Sequence, residues 1–190
     1  MRYQPDHKQE ARTRMIAAAG RGFRRCGYGG IGVDGLAKEA GVTSGAFYGH
    51  FKSKEVAFQQ ALLDGVDELR EAITTLQAER GEDWLEAFID FYLGEKRTCA
   101  LDGSCALQSL TPEVQRADEA IKIAFEERIE AVIGALATGL KGDPGARADK
   151  ARALLSMLTG AVTLSRAMAN GEAGTQIAEA TRRAALAVCA

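Results

Sequence analysis

The sequence predicts an all-α protein of nine helices, and three observations lead there. Only three prolines occur in 190 residues, while Ala, Leu, Glu and Arg are plentiful, a mixture that favours helix. Apolar residues recur three and four positions apart, and strand formers never alternate cleanly over a long run. Glycine-bearing and proline-bearing breaks fall where the helical patterns stop. The chain is long enough to bury a real core. Its composition, 46% hydrophobic and 26% charged, is that of an ordinary soluble globular protein.

Residues 1–7 read as a frayed arm. Met15, Ile16, Ala19 and Phe23 place one amphipathic helix over Lys8–Arg25, ended by Gly27, Gly29 and Gly30 around Tyr28. Val33, Leu36, Ala37 and Ala40 share a face of a short second helix. Gly41-Val42 turns the chain, and Thr43 caps a third helix, Ser44–His50. Lys52-Ser53-Lys54 interrupts the pattern. Ser53 caps a long fourth helix to Arg80, with Glu55 in its first turn. Asp83–Leu93 reads as the fifth helix, residues 94–103 as a polar loop, and Cys105–Leu110 as a short sixth helix capped by Ser104. Thr111-Pro112-Glu113 reads as the start of a seventh, running to Leu140, because proline is favoured at the first helical position. Gly142-Asp143-Pro144-Gly145 is a turn, and helices over Ala146–Ala169 and Thr175–Ala190 complete the nine.

The net charge of −2 is unevenly spread. Residues 1–55 carry ten Lys/Arg against five Asp/Glu, and residues 56–190 carry fourteen against twenty-one. A basic head on an acidic body suits a head that meets a polyanion. Residues 33–50 supply the means. Two short helices joined by a tight glycine turn match the helix-turn-helix layout, with Leu36, Ala37, Val42 and Phe47 as its small core. Ser44, Gly45 and Ala46 are small enough to let the backbone approach base edges, while Gly49 is a further gap on the exposed face. Ser44 can bond a base or phosphate, and the Ala46 methyl can meet a thymine methyl. Tyr48, His50 and Lys54 suit phosphate oxygens. The same pattern also fits a helical adaptor that binds protein partners and no DNA.

The run GYGGIGVDGLAKEAGVTSGAFYGHFKSKE closely resembles the DNA-binding region of the TetR family of bacterial transcriptional regulators. The resemblance covers about Thr13 to Phe58. Its specific parts are AGV, the Tyr48–Phe51 string Y-x-H-F, and the S-K-E that follows. It implies three head helices (residues 1–52) and a six-helix ligand and dimer domain (53–190). It also implies that Tyr48, His50 and Lys54 grip phosphates, while Ser44, Gly45 and Ala46 face bases beside the Thr43 cap. The chain departs at Ile31-Gly32, where the family usually has Thr-Ser or similar. The expected function is a ligand-responsive repressor that binds a palindromic operator in double-stranded DNA as a homodimer and is released by a small-molecule inducer.

In the body, Leu154, Leu155, Leu158, Val162 and Ser165 recur at helical spacing, as do Ile177, Ala180, Ala184 and Val188. These two stripes are expected to form a four-helix dimer interface. Trp84, Phe88, Tyr92, Cys105, Leu107, Phe125 and Met157 are the candidates to line an apolar effector pocket. GSCALQSLTPEV loosely resembles a Gly-Cys opening found in some TetR-type subgroups, a few of which sense electrophiles or oxidants. Cys105 at a helix start would favour its thiolate, making a sensor reading the alternative, with Cys99 as resolving partner. No Gly-rich phosphate loop, H-E-x-x-H or G-x-S-x-G points to an enzyme, and no catalytic residue is assigned. Two histidines and no C-x-x-C pair argue against metal, and no cofactor is expected. No stretch approaches the roughly 18 apolar residues of a membrane span, and no signal peptide is visible, so a cytoplasmic location is expected.

Overall fold

The computed structural model describes the backbone of residues 5–190 and the side chains from Gln9 onward. In order it shows α1 (Pro5–Cys26), α2 (Val33–Glu39), α3 (Ser44–His50), α4 (Lys54–Arg80), α5 (Trp84–Leu93) and α6 (Glu95–Thr98). It continues through α7 (Ala106–Val114), α8 (Glu119–Gly139), α9 (Pro144–Ala167) and α10 (Gly171–Cys189). Among the described residues there is no strand. Nine of these helices answer to the expected nine. The addition is α6, one turn inside the stretch expected to be loop. Pro5–His7, expected in the arm, belong to α1, and the rest of that arm lies outside the described residues.

The chain divides into two compact units. Unit 1 is the chain up to Gly65 together with Leu101–Phe125, and unit 2 is Val66–Ala100 together with Glu126–Ala190. In unit 1, α1 turns Met15, Ala19 and Phe23 onto Leu36 and Ala37 of α2, Phe47 of α3, and Phe58 and Leu62 of α4. Ala106, Leu110 and Val114 of α7 join that same core. The approach of α7 to α4 is close enough that a Cβ built on Gly65 would lie 2.5 Å from the Ala106 Cβ. The N–H of Tyr28 donates to Glu113 Oε1 of α7 at 3.3 Å, and Arg24 Nε donates to the Asp102 carbonyl at 2.8 Å, tying the head's loop and first helix to 101–125.

Two expected helix starts are corrected here. Thr111-Pro112 does not open a helix, because α7 runs through it. Proline cannot donate to the Gln108 carbonyl one turn back, yet the helical ladder resumes beyond it, the N–H of Gln115 donating to the Thr111 carbonyl at 3.3 Å. The long helix opens later, where Asp118 Oδ1 accepts from the N–H of Ile121 at 2.9 Å. Ser104 does not cap α7 either. Its Oγ donates back to the Leu101 carbonyl at 2.5 Å and lies 2.5 Å from Ser109 Oγ, leaving Cys105 in the cap position.

Unit 2 is built on α9 and α10, with α5 packed on both. Asp143 caps α9 by accepting from the N–H groups of Gly145 and Ala146, with Pro144 in the first turn as expected of proline. Asn170 caps α10 through the N–H of Glu172. Ser165 Oγ donates to the Gly174 carbonyl at 2.9 Å where the two helices approach. Trp84 Nε1 donates to the Gly139 carbonyl at 3.3 Å, and Arg182 of α10 bridges Glu86 and Asp90 of α5.

That packing corrects half of the expected dimer surface. Leu154, Leu155, Leu158, Val162 and Ser165 are all buried within the protomer, Leu158 completely. The larger apolar stripe of α9 is its core face. The outward face carries Ser156, Met157, Gly160 and Leu164, and with Ile177, Ala180, Thr181 and Ala184 of α10 it forms an open, mainly apolar groove of about 440 Å³ with buried Ala161 at its floor. Ile177, Ala180 and Ala184 therefore keep the surface position expected of them, and Val188 is also exposed.

Candidate nucleic-acid interface

The turn of the helix-turn-helix is closed at its centre by backbone bonds. Gly41 has φ +67°, its N–H donates to the Lys38 carbonyl at 3.1 Å, and the N–H of Val42 reaches the Ala37 carbonyl at 2.9 Å. This is the glycine-ended C-cap in which a left-handed residue lets the chain fold back. Thr43 then caps α3, its Oγ1 accepting from the N–H of Ala46 at 3.2 Å. Ser53 caps α4 the same way, through the N–H of Val56 at 3.2 Å. Gly32 occupies the N-cap of α2 with no side-chain bond, as its lack of a hydroxyl requires.

The first turns of α3 are bare. Gly45, Ala46 and Gly49 are exposed, and a Cβ on Gly49 would meet nothing within 4 Å. Thr43 is exposed beside them, and Tyr48 stands 54% exposed with Phe47 buried behind it. Ser44 and His50 are half-buried. The Ser44 hydroxyl donates to Asp34 Oδ1 of α2 at 2.5 Å. Lys54, half-buried at the start of α4, holds its ammonium 4.3 Å from the centre of the Tyr28 ring. The eight residues expected to meet DNA thus lie on α3, its cap and the first residue of α4.

Sequence reasoning missed the residues that hold this surface in place. Arg12 of α1 donates to the His50 carbonyl at 3.1 Å and to Gln60 Oε1 at 2.7 Å, and its guanidinium lies 5.7 Å from the Phe51 ring centre. One side chain thereby fixes the end of α3 against α1 and α4. Glu39 of α2 pairs with Arg25 at 2.6 Å and Arg21 at 3.5 Å. The bond from Arg25 holds the Glu39 carboxyl below its ordinary range against a smaller opposing push from burial. These partners lie 14 to 48 positions apart, a separation no local pattern marks.

The expected effector residues are split between the units. Trp84, Phe88 and Tyr92 are buried in sequence along α5, their ring centres 6.5 and 5.9 Å apart. Met157 lines the α9–α10 groove. Cys105 and Leu107 belong to unit 1 and are buried, Cys105 at 7% exposure, while Phe125 packs against the core of that unit. Unit 1 also holds an open cleft of about 280 Å³ between Tyr28, Glu55, Phe58, Glu113, Asp118 and Ile121. Burial, and secondarily Glu55, pushes the Tyr28 hydroxyl up from its usual pKa. No sequence signal marks this cleft, since its walls come from separate parts of the chain. Among the described residues, no group of His, Cys, Asp and Glu is placed to hold a metal ion, and no helix is long and apolar enough to cross a membrane.

A short helix presented bare-faced after a glycine turn is the architecture of a helix-turn-helix DNA-binding protein. Residues 15–61 match the family described as bacterial regulatory proteins, tetR family. The HTH-type transcriptional regulator TtgR of Pseudomonas putida is 37% identical over 78 residues, 41% of this chain and 36% of that protein. The HTH-type transcriptional activator FasR of Mycolicibacterium smegmatis is 36% identical over 90 residues, 44% of this chain and 41% of that protein. The chain thus spans about two-fifths of the curated relatives it matches. A TetR transcriptional regulator from Legionella pneumophila shares the fold across the full length of both chains, with a TM-score of 0.78 at 15% identity. Residues 15–61 thus carry the sequence of the tetR family, and the described residues share the fold of a TetR transcriptional regulator.

Proposed function

We propose that the protein is a ligand-responsive repressor that binds a palindromic operator as a homodimer through α3 and releases it when a small molecule binds. The observation that carries this reading is the exposed, small-residue face of α3, set by the Gly41 turn and flanked by Tyr48, His50 and Lys54. Small residues let the helix backbone approach base edges, and the polar flank suits phosphates. Dimerisation is supported by the outward groove of α9 and α10, whose Leu164 is 55% exposed in the protomer beside exposed Met168. A second copy of the same surface satisfies a two-fold interface without any other partner. Two such heads would reach half-sites about 34–36 Å apart, or a multiple of that. The effector is assigned to the aromatic run Trp84, Phe88 and Tyr92, supported by its burial in one unit. The thiol reading is disfavoured by the burial of Cys105 and by its cap position without a hydroxyl cap beside it. The test is capture of sheared genomic DNA on the immobilised full chain, then footprinting. Recovery of one short two-fold-symmetric sequence supports the reading, and uniform recovery of unrelated fragments refutes it.

A further inference from the structure

We infer that Asp34 and Ser44 act as one paired acceptor that selects cytosine in each half-site. The inference rests on the DNA-binding reading above and adds to it the base that the start of α3 recognises.

Thr43, and not Ser44, caps α3, so the Ser44 hydroxyl is not spent on the helix start. A serine hydroxyl has one hydrogen to give, and an ionised carboxylate can only accept. The Ser44 Oγ therefore donates across the turn to Asp34 Oδ1, at the 2.5 Å typical of a charge-assisted bond. Asp34 is the second residue of α2 and is exposed, and the bond is solvent-accessible. With its proton committed, Ser44 offers a base only lone pairs, and the carboxylate beside it offers more of the same.

Base edges in the major groove differ in just this respect. Guanine presents two acceptors, N7 and O6, and thymine presents O4, so both would set acceptor against acceptor. Adenine donates from N6 but carries the N7 acceptor next to it. Cytosine presents its N4 amino group as the only polar group of its edge, and carboxylates accept from it. The pair therefore fits cytosine best. The charge works in the same direction. A carboxylate on a face that approaches phosphates repels every sequence equally, and an amino group donating into the pair offsets that repulsion only at the matching base. Asp34 then disfavours wrong sites while it recognises the right one.

The experiment is selection from a randomised duplex library with the full chain, wild type beside Asp34→Asn and Ser44→Ala, with each protein's folding checked by thermal melting. For wild type, cytosine should dominate one position of each half-site. Asp34→Asn should lose roughly 5- to 150-fold of that preference, the equivalent of one base contact of about 1–3 kcal/mol. It should gain adenine at the same position, since an amide pairs with adenine N6 and N7, and it should bind unrelated duplex more tightly than wild type. Ser44→Ala should weaken the cytosine preference without raising affinity for unrelated duplex. A wild-type site with no fixed cytosine, or an Asp34→Asn site identical to wild type, overturns the pairing while leaving DNA binding intact. Enrichment of no sequence at all overturns the DNA-binding reading and this inference together.

Discussion

At the scale of single residues, the head separates side chains that build the surface from side chains that would use it. Tyr48 is of the second kind. It stands mostly in solvent at the end of a ring pair with buried Phe47. Tyr48→Phe keeps the ring and deletes one hydroxyl, so thermal stability should stay within about 0.5 kcal/mol of wild type. Operator affinity should fall by about 0.5–3 kcal/mol, the upper end applying to a charged phosphate acceptor. Calorimetry beside anisotropy titration reads both quantities, and an unchanged affinity removes Tyr48 from the phosphate contacts. Arg12 is of the first kind, since its three partners, the His50 carbonyl, Gln60 and Phe51, all belong to unit 1. Arg12→Ala should lower unfolding free energy by roughly 1–3 kcal/mol, because the His50 carbonyl and Gln60 lose a charged donor. Operator binding should weaken as well, since the end of α3 then loses its polar tie to α1. A variant with wild-type stability would show that Arg12 does not fix the helix.

At the scale of elements, the glycine turn between α2 and α3 offers the cleanest test. Gly41 has a left-handed φ, and a Cβ added there would meet nothing within 4 Å. Any cost of Gly41→Ala is therefore conformational and not steric, about 1–2 kcal/mol in a denaturant melt. Gly41→Asn should cost less, because asparagine tolerates that region better. Equal losses for the two variants would count against a conformational origin. This turn was legible in the sequence because glycine, a following Thr cap and apolar spacing all lie within ten residues. The caps at Thr43 and Ser53 were legible for the same reason. The start of α8 was not. Pro112 marks a favoured helix opening by itself, but α7 runs through it, and the true cap at Asp118 is one of many acidic residues in the body. Ser104 misled in the same manner, because a serine before an apolar run reads as a cap whether its hydroxyl points forward or, as here, back to Leu101.

At the scale of the whole molecule, the sequence shows that α9 and α10 have apolar stripes but not which stripe meets the protomer's own core. Leu154, Leu155, Leu158 and Val162 of α9 go inward, where they are buried, while Met157, Gly160 and Leu164 line the outward groove. Periodicity marks a face and does not name its partner. The same limit split the expected effector residues between two units, since spacing along the chain says nothing of which unit each helix enters. The outward placement yields a paired prediction. Leu164→Glu adds a charge to a side chain that is 55% exposed in the protomer, so the fold should survive and the dimer should dissociate at micromolar concentration. Leu158→Glu puts the charge in a fully buried site and should unfold the chain. Light scattering with circular dichroism distinguishes them. A folded, dimeric Leu164→Glu would move the interface elsewhere.

The central claim is that α3 and its flanks bind operator DNA, and titration of the recovered duplex across a range of salt concentrations tests it most directly. Phosphate contacts release counterions, so the logarithm of affinity should fall linearly with the logarithm of salt, by about 0.9 for each phosphate neutralised. Lys54→Ala should reduce that slope by roughly one while weakening operator and scrambled duplex alike. A steep slope together with operator affinity at least about 1,000-fold above that for scrambled duplex is the expected result. A slope near zero, or equal affinity for operator and scrambled duplex, would contradict the account.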